Sequence, residues 1–167
     1  NKRIEWLLVD ICESFIVIAS FVLGWLYQLN NKYIIGLNDV LSDRLKYIAQ
    51  TMSTYNIKLW GQYIEEHGNG GSIIAKDNYF FIDNSFVRCM YEYGAIVFVL
   101  VIVLIFMAQK KMLDNEKYIM CLAFFIVTIA SFAEHHLLEI AYNPFIFSVF
   151  ACMSNNDKVI MEEKRIC

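Results

Sequence analysis

From Gly94 to Ala108, fifteen successive residues carry no charge. Ahead of the run stand Arg88 and Tyr91-Glu92-Tyr93, and behind it Lys110-Lys111. A polar rim, an aromatic belt, an apolar rod and a basic stop, in that order, mark a membrane-spanning helix. A crossing takes roughly 20 residues. Counting from Phe86 gives 23, with Arg88 and Glu92 reaching into the headgroup layer by their long side chains. A buried strand is excluded by the length.

Similar runs recur. An apolar stretch from Ile4 to Leu29 is interrupted by Asp10 and Glu13, and its clean part, Ser14 to Leu29, is 16 residues long. Tyr118 to Ala133 is another 16 residues without a charge, and Leu137 to Met153 is a shorter fourth run with Glu139 near its start and Pro144 inside. With 58% hydrophobic residues, 19% charged residues and a mean hydropathy of +0.45, the chain is too apolar for a soluble domain of 167 residues. The expected fold is therefore all-α: a polytopic membrane protein with about four transmembrane helices and an external amphipathic loop-helix. Its divisions are a first span over 1–29, an extracytoplasmic loop over 30–85, a three-span bundle over 86–153 and a cytoplasmic tail over 154–167. The chain opens on Asn1 rather than Met and reads as the carboxyl-terminal part of a larger membrane protein.

Asp10 and Glu13 share one helix face at i,i+3 spacing. They sit either at the inner headgroup boundary or inside the membrane facing other helices, where acids are costly and often functional. In the long loop, Leu41, Leu45, Ile48, Met52, Tyr55 and Leu59 step by fours and threes, which predicts a narrow apolar stripe on a helix capped by Asn38 or Ser42. His67-Gly-Asn-Gly-Gly-Ser72 is a loop signal; no Gly-Lys-Ser/Thr follows it, so it is no phosphate-cradling Walker loop. Gln109 to Lys117 is expected to be a tight polar turn.

Lysine and arginine set the orientation. Lys2, Arg3, Lys110, Lys111, Lys117, Lys158, Lys164 and Arg165 fall in short segments on one side, which the positive-inside rule places in the cytoplasm. The long loop and the Glu134–Glu139 turn then emerge together on the outer side. The net charge of −3 says nothing about a nucleic-acid partner, but there is no basic tract of the kind that binds phosphodiester backbones. The five cysteines, Cys12, Cys89, Cys121, Cys152 and Cys167, include no C-x-x-C pair and read as small buried hydrophobes.

Chemistry, where present, belongs on the outer face. Arg44, Asp77, Asp83, Asn84, Arg88, Glu134, His135, His136, Glu139 and Asn143 gather there beside apolar spans, and desolvating such groups needs partners or a polar substrate. Each has a plainer reading. Arg44 can be a solvated charge paired to Asp39 or Asp43. Asp83, Asn84 or Ser85 can cap the second span, Arg88 can snorkel, and the histidines can belong to an interfacial turn. His135 and His136 each pair with Glu139 at ligand spacing, but no H-E-x-x-H occurs and neighbouring histidines diverge on a helix. No metal and no cofactor is expected. No G-x-S-x-G nucleophile motif is present.

Arg44-Leu45 on an outward helix, Gly61-Gln62 closing it, and Asp83-Asn84-Ser85-Phe86 leading through Tyr93-Gly94 into a span form one constellation. Glu134-His135-His136-Leu137-Leu138-Glu139 followed by Tyr142-Asn143-Pro144-Phe145 forms another. Together, over about Leu41 to Phe150, they resemble the bacterial O-antigen and capsular polysaccharide repeat-unit polymerases. The resemblance implies a glycosyltransferase of the bacterial cytoplasmic membrane, at work in capsule, O-antigen or exopolysaccharide biosynthesis. It would join oligosaccharide repeat units carried on undecaprenyl pyrophosphate at the outer face, without a metal. Its partners would be that lipid-linked substrate, the bilayer, and a chain-length regulator or flippase. By the same resemblance Arg44, Asp83, Glu134, His135 and His136 are candidate catalytic residues, and Arg88, Asn84, Glu139 and Asn143 candidate substrate-binding ones. The alternatives are an O-antigen-type glycan ligase, whose histidine-rich arginine motif is missing from this loop, and a non-enzymatic transporter or assembly component.

Overall fold

The computed structural model describes residues 2–67, 79–139 and 141–144, with side chains from Leu7 onward. These residues form an all-helical fold. α1 runs over Lys2–Gln28, α2 over Lys32–Val40, α3 over Arg44–Thr54, and α4 over Ser85–Arg88; α4 continues as a π-helical turn, Cys89–Tyr93. α5 spans Ala95–Asp114, α6 spans Tyr118–Ala130, and a 3₁₀ turn follows at His136–Leu138. Extended pairing among the described residues is confined to a single bridge between His67 and Phe80.

Two helices are long and apolar enough to cross a membrane: α1 over Leu7–Gln28, 22 residues, and α5, 20 residues. At 1.5 Å per residue each covers about 30 Å, the thickness of a hydrocarbon core. They run antiparallel, since Phe21 meets Phe98 edge-on at 5.9 Å and Glu13 meets Gln109 further along. α6 is a shorter apolar helix of 13 residues. One apolar cluster joins α1, α5 and α6 through Val101, Ile105, Met112 and Phe124, and takes in Phe86 and Leu137. A second lies under α3, where Leu45 and Ile48 pack with Phe80, Ile82, Val87 and Tyr91.

Inside the three-helix contact is a polar node. Glu13 is 1% exposed, and the Gln109 amide donates to its carboxylate while Cys121 Sγ donates to Gln109 Oε1 at 3.2 Å. Of the two positions open to Glu13, the one facing other helices is the one it takes. Cys12 is exposed and Cys89 and Cys121 are buried, all as free thiols; Cys152 and Cys167 lie outside the described residues.

Several boundaries differ from expectation. The loop stripe is not one helix to Leu59. α2 precedes α3, and the chain breaks between them with Ser42 and Asp43 at φ 52° and 65°. Asn38 stabilises the break from a distance: its amide donates to Asp43 Oδ1 at 2.8 Å and its oxygen accepts from the Lys46 N–H at 3.0 Å, relieving an orphan donor of α3. α3 then ends at Thr54, and Leu59 is exposed. The Phe86–Ala108 span is interrupted at Gly94, whose φ of +97° no ordinary side chain adopts readily. The long apolar helix therefore starts at Ala95.

That helix does not stop at Lys110-Lys111. Gln109, Met112 and Leu113 are buried, so it continues to Asp114 and the turn shrinks to Asn115–Lys117, with Glu116 at φ 58°. α6 ends at Ala130, three residues early, in a turn where Ser131 Oγ donates back to Val127 O at 2.8 Å. The described start of the expected fourth span is a 3₁₀ turn at His136–Leu138, so no continuous helix begins at Leu137. Residues 145–153, the tail, residues 68–72 of the glycine cluster and Asp77 lie outside the described residues.

Candidate functional site

Three segments converge at the end of the bundle that holds the α5 amino terminus: the start of α3, the stretch Phe81–Arg88, and the corner Glu134–Glu139. Asn84 makes the junction. Its side-chain oxygen accepts from the N–H groups of Phe86 and Val87 at 3.0 and 2.9 Å, capping α4. Its amide donates to Ser20 Oγ and Phe132 O, at 3.0 and 2.8 Å. Ser85 completes the seam. Its N–H donates to Ser131 O, its hydroxyl donates to Glu134 O, and that hydroxyl accepts from the Leu137 N–H.

With Asn84 capping the helix, Asp83 is free to pair elsewhere. Arg44, the first residue of α3, reaches Asp83 Oδ2 with Nε at 3.5 Å and Glu134 Oε1 with an Nη at 3.0 Å. Next to Asp83 stands His135, whose Nδ1 is 3.9 Å from Asp83 Oδ1 and whose Nε2 is 3.2 Å from Glu139 Oε1. Glu139 also faces His136 Nδ1 at 3.2 Å, and His136 stacks on Tyr142 with ring centroids 4.0 Å apart. Arg44, Asp83, Glu134, His135, His136 and Glu139 thus form one cluster.

Burial raises the Asp83 carboxyl above its usual range, with Glu134 adding to the effect and Arg44 and His135 opposing it. Burial lowers His135, helped by the charges of His136 and Arg88 and opposed by Glu139 and Asp83. The imidazole is accordingly neutral at pH 7, in the form that accepts a proton. A guanidinium, a carboxylate and a neutral imidazole side by side can hold an anionic group and take a proton from a neighbouring hydroxyl.

Three expected site residues are placed otherwise. Asn84 and Asn143 are buried in the scaffold; Asn143 donates to Leu137 O at 2.8 Å and fixes the corner. Neither offers a surface to a substrate. Arg88 does not snorkel. Its guanidinium pairs with Glu66 at 2.6 Å and Glu92 at 3.3 Å, donates to Ile82 O at 3.0 Å, and lies over the Phe81 ring at 4.8 Å. It clamps the 81–92 turn. Glu66 stands 22 positions from Arg88, a separation that leaves no local signal in the sequence. Glu92 was legible as the i,i+4 partner of Arg88.

A small recess of about 80 Å³ opens beside the cluster, lined by Ser85, Arg88, Tyr93, His135, Leu138 and Glu139 among others. It has room for a few waters or one compact polar group, not for a whole sugar. Glu134, His135 and His136 can bring one ligand atom each within 4.8 Å of the others. That spacing suits a cation, but Arg44 already engages Glu134, and the Arg88 charge also bears on His135.

No protein-family model matches the chain, and neither a curated protein nor a solved structure matches it.

Proposed function

We propose that the protein is an integral membrane glycosyltransferase that joins oligosaccharide repeat units carried on a polyprenyl pyrophosphate, at the outer face of the bacterial cytoplasmic membrane. α1 and α5 cross the bilayer, and the Arg44 cluster lies where lipid-borne substrates are presented. The observation that carries the reading is the contact of Arg44 with Asp83 and Glu134 beside His135. A permanent cation near an imidazole suits transfer from a pyrophosphate, where negative charge develops on the leaving group.

In the reaction, an acceptor sugar hydroxyl gives its proton to His135 as its oxygen bonds to the anomeric carbon of the growing glycan. The bond from that carbon to pyrophosphate breaks, and the lipid pyrophosphate leaves with the electron pair. Arg44 exchanges its contact with the half-exposed Glu134 for the departing phosphate oxygens, a bidentate partner for a guanidinium. Glu139 orients the imidazole through Nε2 at 3.2 Å, and the Asp83 carboxylate lies 3.9 Å from Nδ1. The bilayer and the lipid-linked oligosaccharide are the partners in this reading, with a chain-length regulator or flippase acting alongside. Cells whose complete protein carries Arg44→Ala should accumulate single repeat units on the lipid and make no long chains. Normal chain lengths would remove Arg44 from the mechanism and the proposal with it.

A further inference from the structure

Beyond α3 the chain runs extended, and residues 57–63 lie across the amino terminus of α5. The Ala95 N–H donates to Lys58 O at 3.0 Å and the Ile96 N–H to Leu59 O at 3.3 Å, so this segment caps the crossing helix. Gln62 N–H donates to Glu92 O at 2.9 Å. Gly61 and Gly94 touch backbone to backbone, and a Cβ on Gly94 would stand 2.3 Å from Gly61 N. The segment is therefore fixed to α5 by main-chain contacts, yet its large side chains point away from the protein. Trp60 is 82% exposed, Tyr63 86% and Leu59 63%, with Ile57 also exposed.

The level of this strip follows from the helix register. Phe21 and Phe98 meet. One turn past Phe21, about 6 Å along α1, is exposed Trp25; one turn before Phe98, about 6 Å along α5, is Gly94. Trp25, Tyr93 and the Leu59–Trp60 strip thus lie at a common height. Below them the exposed face of α5 continues apolar through Val99, Leu100, Val103 and Met107.

We propose that Ile57–Tyr63 is an interfacial anchor, Leu59 and Trp60 seated at the boundary between headgroups and acyl chains of the outer leaflet, with Lys58 near lipid phosphate. Leu and Ile beside Trp and Tyr fit a lipid interface, where an aromatic body is apolar and its polar edge stays wet. A sugar platform would not need the aliphatic pair. The anchor rests on the reading that α1 and α5 span the bilayer and is independent of glycosyl transfer.

The complete protein bearing Trp6→Phe and Trp25→Phe, with any tryptophans outside this chain replaced likewise, would be reconstituted in phosphatidylcholine–phosphatidylglycerol vesicles. Its tryptophan emission would then be read against lipids brominated at different depths. Trp60 should report a position about 15 Å from the bilayer centre, half the roughly 30 Å hydrocarbon core, and should not respond to added oligosaccharide. A matched variant keeping only Trp25 should report the same depth. A nitroxide at Tyr63→Cys should be reached by oxygen more readily than by a water-soluble nickel complex. Trp25 quenched by bromolipid while Trp60 is open to iodide would overturn the anchor alone. Neither residue quenched would overturn the spanning reading as well. A Trp60 emission that shifts only with oligosaccharide would assign the strip to the glycan instead.

Discussion

The Arg44 guanidinium lies 3.0 Å from the Glu134 carboxylate, across 90 positions of sequence. The contact joins the first turn of α3 to the corner after α6, and Asp83 enters it from a third segment. Neither partner is deeply buried, so the pair itself is worth no more than about 1 kcal/mol of stability. Its importance is positional: it holds a cation beside His135.

That separation of roles gives the first expectation. Arg44→Ala should lower chain extension by roughly 100-fold, the scale of losing one transition-state donor, while costing about 1 kcal/mol or less in stability. Arg44→Lys should recover only part of the rate, because an ammonium lacks the planar fork. Initial rates and thermal unfolding in detergent, measured on the same preparations, separate the two effects.

The acid limb of the activity profile should report His135. Its pKa lies below its ordinary 6.5, so with His135 as the proposed base, activity should persist at pH 6.5 and fall only as the pH drops through that lowered value. Glu139 opposes the lowering and His136 contributes to it. Glu139→Gln should therefore move the limb to lower pH, and His136→Gln should move it to higher pH. Stability follows linkage. The share from His135 is present above 6.5 and is lost as pH falls through the folded value. Asp83, raised above its ordinary 3.8, acts oppositely; its share is present below 3.8 and lost as pH rises through the folded value. Parallel profiles of rate and unfolding for the two variants check both signs.

Glu13 and Gln109 should behave as a pair. Glu13→Ala leaves the buried Gln109 amide without its acceptor and should destabilise by about 1–3 kcal/mol. Glu13→Gln keeps an acceptor and should cost less. Thermal unfolding of the two variants is the check, and equal losses would show that the contact is not what matters at this position.

The two touching glycines should be intolerant. Gly61 and Gly94 have φ of +80° and +97°, and a Cβ on Gly61 would lie 2.2 Å from Glu92 O. Either alanine substitution should lower stability by at least about 2 kcal/mol, the strain of the backbone adding to the clash. Gly36, inside α2 with nothing within 4 Å, is the control. There alanine should stabilise by about 0.5–1 kcal/mol.

Much of this fold was legible in the chain. The helices α1, α5 and α6 follow from charge-free runs, and the pairing of Leu45 with Ile48 on one buried face follows from their spacing. The gathering of Arg44 with Glu134 and His135 follows from topology, which puts the two loops on one side of the bundle. What escaped was decided by distant partners. The α3 start depends on Asn38 reaching Lys46, and α5 outlasts Lys110-Lys111 because Gln109 finds Glu13 on another helix. Arg88 looked like an interfacial charge because Glu66, its main partner, lies in a different segment. The break at Gly94 is set by the close approach of Gly61, which no local pattern announces.

The proposed transfer between lipid-linked units can be measured in a purified system. Purified complete protein, reconstituted with polyprenyl-pyrophosphate-linked repeat units and no nucleotide sugar, should release lipid pyrophosphate in step with products of two, three and more units, while the Arg44→Ala protein should not. A wild-type preparation that moves a solute across the vesicle wall but leaves every repeat unit single would rule the proposed transfer out.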